Sequence, residues 1–287
     1  MRKYTAVFVI LGFALCSGMV FGSTAHSVEA RVHFAANSNF DAGGHYMPGA
    51  AGFNLADVSS LPVLNALPAG VNGLVWVGKC SGADAGFVAA VEPYIGNPKL
   101  FGFYLMDGPD PGTAEHPGCT GEMLKGEADW IHAHAPGVKT FIVLRNMTAS
   151  KSPSFDATFK PANSHVDLFG LAAYPCRTEA NGCDFDMINR YVNAAELAGI
   201  PRANIVPVYQ TFGGGTWKND ADGQYTLPTA SQARQMLLTW HKLVPTPVFD
   251  YAFSWGSQNA DVSLEASPDL RDVFSAHNAA AKRIGEK

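Results

Sequence analysis

Apolar residues along this chain gather in short continuous runs, not in strict alternation with polar ones. Eight runs rich in Val, Ile, Phe and Tyr read as buried strands: residues 32–35, 52–55, 74–77, 101–106, 140–144, 168–174, 205–210 and 249–255. Strands apolar on both faces suit a parallel sheet covered on each side. Between most runs the apolar positions return at helical spacing. Residues 85–95 place Phe87, Val88, Val91 and Ile95 on one face, and residues 122–134 offer Met123, Ala128 and Ile131. Asp184 is placed to cap a helix carrying Ile188, Val192 and Ala195. Thr229 and Gln232 form a capping box ahead of Met236, Leu237 and Trp240. Ser267-Pro268 is a cap with proline at the first helical position. A short helix is expected within residues 57–67, ending before Pro68.

Strand followed by helix, repeated, means an α/β fold with a parallel sheet. Eight such strands predict a (β/α)8 TIM barrel, a single domain over residues 31–287. The stretch 38–51 has no helical pattern and keeps an open doubly wound sheet as the alternative.

The start of the chain has a different character. Arg2 and Lys3 precede an apolar stretch from Val7 to Phe21, and small residues follow up to Ala30. That order reads as a secretory signal peptide over residues 1–30. The run is short for a membrane span. A secreted or periplasmic protein is expected, with no membrane attachment after removal of the signal, and as a monomer.

Composition narrows the function classes. The 287 residues are 47% hydrophobic and 16% charged, which excludes a disordered chain. The net charge is -5, so no basic surplus exists to neutralise phosphates, and nucleic acid is not an expected partner. Without the signal four cysteines remain, and an exported chain oxidises them to two disulfides. Of three pairings, Cys176–Cys183 closes a short loop and Cys80–Cys119 ties two neighbouring loops. A competing reading makes Cys80, in Gly78-Lys79-Cys80-Ser81-Gly82, a nucleophile on a strand-to-helix elbow. His132 and His134, two apart on a helix, point in different directions. No metal and no cofactor is expected, and the Gly213–Gly215 run lacks a phosphate-loop lysine.

In a barrel of this type chemistry sits where strands end. The second strand ends near Asn54 and Asp57, and the fourth gives Asp107, Asp110 and Glu115. The fifth gives Arg145 and the sixth Tyr174. The seventh gives Gln210 with Trp217 beyond, and the eighth gives Trp255. Carboxylates, amides and aromatic rings suit a polysaccharide or oligosaccharide ligand.

Residues 100–110, Leu-Phe-Gly-Phe-Tyr-Leu-Met-Asp-Gly-Pro-Asp, resemble the fourth strand of TIM-barrel glycoside hydrolases, which often ends in Asp-Glu-Pro. Residues 205–210 resemble their seventh strand, and Phe253-Ser254-Trp255 the eighth, whose Trp floors the sugar site. The resemblance implies acid-assisted glycosidic hydrolysis of an extracellular or cell-wall polysaccharide. Asp107 would be the acid, Asp110, Glu115 or Asp57 the second carboxyl group, and Asn54, Asp57, Arg145, Tyr174, Gln210, Trp217 and Trp255 the sugar contacts. A substrate acetamido group acting as nucleophile is a further possibility.

Two departures matter. Gly108 stands where the family has its acid, and Gln210 where many members have a nucleophile. An amide neither attacks nor shuttles a proton. Hydrolase is the favoured reading, and a carbohydrate-binding barrel without catalysis is the alternative.

Overall fold

The computed structural model describes residues 32–113 and 118–283. The signal segment and Glu115 lie outside the described residues. Among the described residues ten strands occur in chain order: β1 His33–Ala35, β2 Leu55–Val58, β3 Asn72–Trp76, β4 Leu100–Asp107, β5 Lys139–Leu144, β6 Leu168–Leu171, β7 Cys176–Arg177, β8 Gly182–Cys183, β9 Ile205–Gln210 and β10 Asp250–Phe253. The helices are α1 Leu61–Ala66, α2 Ala85–Val91, α3 Gly121–His134, α4 Pro161–Ser164, α5 Asp186–Leu197, α6 Ala230–Leu243 and α7 Pro268–Arg283. Eight strands close a barrel in the order β1-β2-β3-β4-β5-β6-β9-β10, and every pairing in it is parallel. The expected (β/α)8 barrel is therefore the fold. The antiparallel pair β7–β8 is a small insertion after β6.

Local chemistry explains most boundaries. The capping box forms at Thr229 and Gln232. Asp84 caps α2 by accepting from the Phe87 amide, and Thr120 caps α3 by accepting from that of Met123. The helix after β8 begins at Asp186, because Asp184 pairs with Arg190 instead of capping. The second strand lies three residues later than expected. Residues Pro48–Ala51 form a 3₁₀ turn that ends at Gly52 with φ near 80°, so the extended chain starts only at Leu55. This turn occupies the stretch that showed no helical pattern.

Side chains of each barrel strand alternate between two cores. Phe34, Leu55, Leu74, Phe141, Val206 and Phe249 fill the barrel interior. Their neighbours, among them Ala35, Ala56, Val75 and Ile142, pack against the helices. Both disulfides form as favoured: Cys80–Cys119 joins the loop after β3 to the approach to α3, and Cys176–Cys183 closes the β7–β8 hairpin. Cys80 thus carries no free thiol, and the nucleophile-elbow reading is overturned.

Glu127 on α3 is fully buried. Its Oε1 accepts from the Ser81 amide at 2.9 Å, and its Oε2 has no hydrogen-bond partner among the described residues. Burial pushes its pKa up from 4.5 to about 7, against the pull of the Ser81 and Cys80 amides. The folded state therefore prefers the protonated form. The stability this gives is complete below the unfolded value and disappears as pH rises through about 7. Glu127→Gln is expected to raise stability at pH 8 by about 3 kcal/mol and to change little at pH 4. Urea denaturation of both proteins at the two pH values measures the difference. An equal effect at both would refute a titrating origin.

Candidate active site

Period-two alternation continues to the C-terminal ends of the strands and decides which side chains meet there. In β2, Asp57 follows the inward Leu55. In β3, Trp76 follows the inward Leu74. In β10, Tyr251 and Phe253 follow Phe249. Asp107 would break this rule, since it lies an odd number of residues after the inward Tyr104. A register shift between Tyr104 and Met106 against β5 restores it and returns Asp107 to the inside.

The result is a cleft over the barrel mouth. One lobe, about 440 Å³, is bounded by Asn37, Asp57, Trp76, Tyr104, Asp107 and Gln258. The second, about 180 Å³, lies between Asp107, Arg145 and Tyr174. Trp217, Tyr251 and Phe253 border both lobes. Aromatic rings form two walls. Trp76 meets Tyr104 edge to face at 4.9 Å, and Trp76 is 42% exposed, open to a ligand. Opposite, Tyr174 stacks on Phe253 at 5.8 Å, and Trp217 lies 5.9 Å from the same Phe253 ring.

Two carboxyl groups stand between these walls. Asp57 is held by the Asn37 amide, which donates to Oδ2 at 3.1 Å, while its own amide donates to Asn39 Oδ1 at 2.9 Å. Burial raises the Asp57 pKa, and the Asn37 amide offsets part of the rise. Asp107 is exposed at the mouth, where the walls of both lobes flank its carboxyl group. Desolvation by these walls raises its pKa, opposed in part by the neighbouring Tyr104 hydroxyl. Tyr104 is 6% exposed, and its hydroxyl is directed at the Asp107 carboxyl. The buried Asn37 Nδ2 has no hydrogen-bond partner among the described residues. Buried polar groups without partners carry a desolvation cost that a polar ligand would relieve.

Of the residues read from the sequence, Asp57, Asp107, Arg145, Tyr174 and Trp217 border the cleft. Four others take different places. Asn54 precedes β2 and accepts from the His33 amide at the far end of the barrel. Asp110 is spent on an exposed ion pair with Arg145 at the rim. Gln210 is fully buried: its Nε2 donates to the carbonyls of Cys176, Phe212 and Thr226, and its Oε1 accepts from the Cys176 amide. Trp255 is 2% exposed and packs edge to face on Phe53 in the layer under the helices, because β10 ends at Phe253. Trp76, Tyr104, Tyr251 and Phe253 border the cleft but were missed from sequence. Strand parity was the signal that could have found them. Gly108 adopts φ near 61°, a left-handed conformation that would strain a residue with a side chain.

No protein-family model matches the sequence, and no curated protein matches it. Solved structures do share its fold. The chitinase-like agglutinin of Robinia pseudoacacia superposes with a TM-score of 0.56 at 10% identity, over 86% of this chain and 99% of that one. A chitinase from Cycas revoluta in complex with (GlcNAc)3 gives 0.51 at 12% identity, over 80% and 94%. A fungal endo-β-N-acetylglucosaminidase of glycosyl hydrolase family 18 gives 0.50 at 13% identity, over 86% and 97%. At such identities the likeness is one of fold.

Proposed function

We propose that this chain is an exported carbohydrate-active barrel that binds a polysaccharide or oligosaccharide across the mouth and hydrolyses it, with Asp107 as the acid. The observation that carries the reading is the placing of two carboxyl groups, Asp57 and Asp107, between aromatic walls that line one cleft. Sugar rings present an apolar face that stacks on Trp and Tyr and an edge of hydroxyls that bonds to carboxylates. The buried Asn37 Nδ2 offers a further polar group that lacks a partner among the described residues. An acid must hold its proton at working pH, and the raised pKa of Asp107 favours that. Asp57 is the second carboxyl group, replacing Asp110 in that part. The two disulfides accord with an oxidising, extracellular setting. Among the described residues no helix is long and apolar enough to cross a membrane.

A second reading, binding without cleavage, is favoured by Gly108 and Gln210. Neither position where the resembled enzymes carry glutamate supplies a carboxyl group. The separating experiment is reducing-end release from a panel of neutral and amino-sugar polysaccharides, run beside retention on the same polymers. Release from one class supports hydrolysis. Retention with no release supports the binding barrel. Neither release nor retention refutes both readings.

Trp217 gives a direct check on where the sugar lies. Trp217→Ala is expected to weaken retention on the recognised polymer about 10-fold or more, as loss of a ring-stacking surface does. Affinity electrophoresis in gels containing the polymer measures it, and unchanged mobility would remove Trp217 from the site.

A further inference from the structure

At the opposite end of the barrel three side chains from distant parts of the chain meet. His33 opens β1 and Asp250 opens β10, and the two are direct partners in the parallel register. His277 reaches them from α7. His33 Nδ1 lies 2.8 Å from Asp250 Oδ1, and His277 Nε2 lies 2.8 Å from Asp250 Oδ2. His33 and Asp250 are almost wholly buried, and His277 is partly so. We propose that His33, Asp250 and His277 form a binding site for a first-row divalent cation of the Zn²⁺ class. The proposal does not depend on what the mouth binds.

Convergence, geometry and room for a further ligand support this assignment. The ligating atoms of all three residues lie within 4.8 Å of one another. The two carboxylate oxygens each face one imidazole nitrogen, and the three residues give a donor set of two imidazoles and one carboxylate. Such a set of imidazole and carboxylate suits Zn²⁺, Co²⁺ or Ni²⁺ and not Mg²⁺, which takes oxygen. Donors about 2.05 Å from a tetrahedral ion lie roughly 3.3 Å apart, so each 2.8 Å pair needs to open by only about half an ångström. That opening seats the ion, and each neutral ring then carries its proton on the nitrogen that does not ligate. A cleft of about 10 Å³ beside Asp250 and His277 matches one water, with Tyr209 and His241 on its wall. The Tyr209 hydroxyl stands 3.4 Å from Asp250 Oδ2, where it orients the carboxylate as partners behind metal ligands do.

A cation here would fasten α7 to the first and last strands of the barrel. Ligand bound only by the folded state stabilises it by mass action.

The test uses the whole mature chain, stripped with chelator and dialysed against ZnCl₂ or MgCl₂. One Zn²⁺ per chain is expected, with no Mg²⁺ retained. His277→Ala and, as a milder change, His277→Gln are expected to lower Zn²⁺ affinity at least 10-fold. His45→Ala, at an exposed histidine beside Asp41, is expected to leave it unchanged. Anomalous scattering at the zinc edge gives a readout independent of any variant. Density between His33, Asp250 and His277 supports the proposal. Zinc found only at surface histidines, or no retention by the wild-type chain, overturns it.

Discussion

Asp107→Asn is expected to lower turnover on the recognised polysaccharide by 10²- to 10⁴-fold, the usual range for a positioned acid, while retention on the same polymer stays within about threefold. The asymmetry follows from the geometry. The asparagine fills the same space between the aromatic walls and still offers an acceptor, so binding survives. It cannot deliver a proton to a departing oxygen. The pH dependence gives a second readout with a defined sign. Asp107 works when protonated, and desolvation raises its pKa, so activity falls as pH climbs through that raised value. The basic limb of kcat/KM should thus lie above the range of an ordinary aspartate and vanish from the residual activity of the variant. Asp57→Asn should cut turnover comparably if Asp57 is the second carboxyl group, but through the acidic limb. If Asp107→Asn leaves turnover unchanged, Asp107 is not the acid. If the wild type shows no turnover and both variants still bind, the barrel binds without cleaving.

The mouth was legible in the sequence only as far as strand boundaries were. The apolar runs located seven of the eight barrel strands and placed the second three residues early, because strands buried on both faces cannot conceal their composition. Asp57, Asp107, Tyr174 and Trp217 followed from reading polar and aromatic residues at strand ends. The errors arose where a boundary or a parity was misjudged. Starting the second strand at Gly52 put Asn54 at its end, whereas the left-handed Gly52 delays the strand until Leu55 and sends Asn54 to the far end. Extending the last strand to residue 255 put Trp255 in the mouth, where Phe253 stands instead. The register shift that turns Asp107 inward has no local signature. The cluster of His33, Asp250 and His277 was invisible for a related reason. It joins residues 217 and 27 positions apart, and only barrel closure brings them together.

Gln210 is the residue whose sequence reading and structural role differ most, and it carries the largest stability prediction. Its side chain makes four hydrogen bonds, all to backbone groups, and three of them reach across to Cys176 or Thr226. It thereby fixes the disulfide hairpin and the loop after β9 to the barrel rim, and with them the wall that holds Tyr174. Gln210→Leu fills the volume but strands the Cys176 amide and the Phe212 and Thr226 carbonyls in a buried place, while the Cys176 carbonyl keeps the Thr226 amide as donor. Each unsatisfied group costs about 1–3 kcal/mol, and partial relaxation keeps the sum below full additivity. A loss of about 3–5 kcal/mol is expected, with a fall in melting temperature of roughly 10 °C for a domain of this size. Gln210→Glu is the sharper variant, since it places a carboxyl group where many resembled enzymes have their nucleophile. An ionised carboxylate there would point at three carbonyl oxygens and find no donor for the oxygen that replaces Nε2. The group therefore holds its proton in the folded state, and its pKa is raised. Stability is then nearest to wild type at low pH and is lost as pH rises through the raised value. No gain in turnover is expected, because the side chain faces the hairpin backbone and does not border the cleft. Thermal melts at pH 5 and pH 8, beside reducing-end assays, check both halves. A Gln210→Glu protein that keeps wild-type stability at pH 8 and gains activity would mean that this position faces substrate after all.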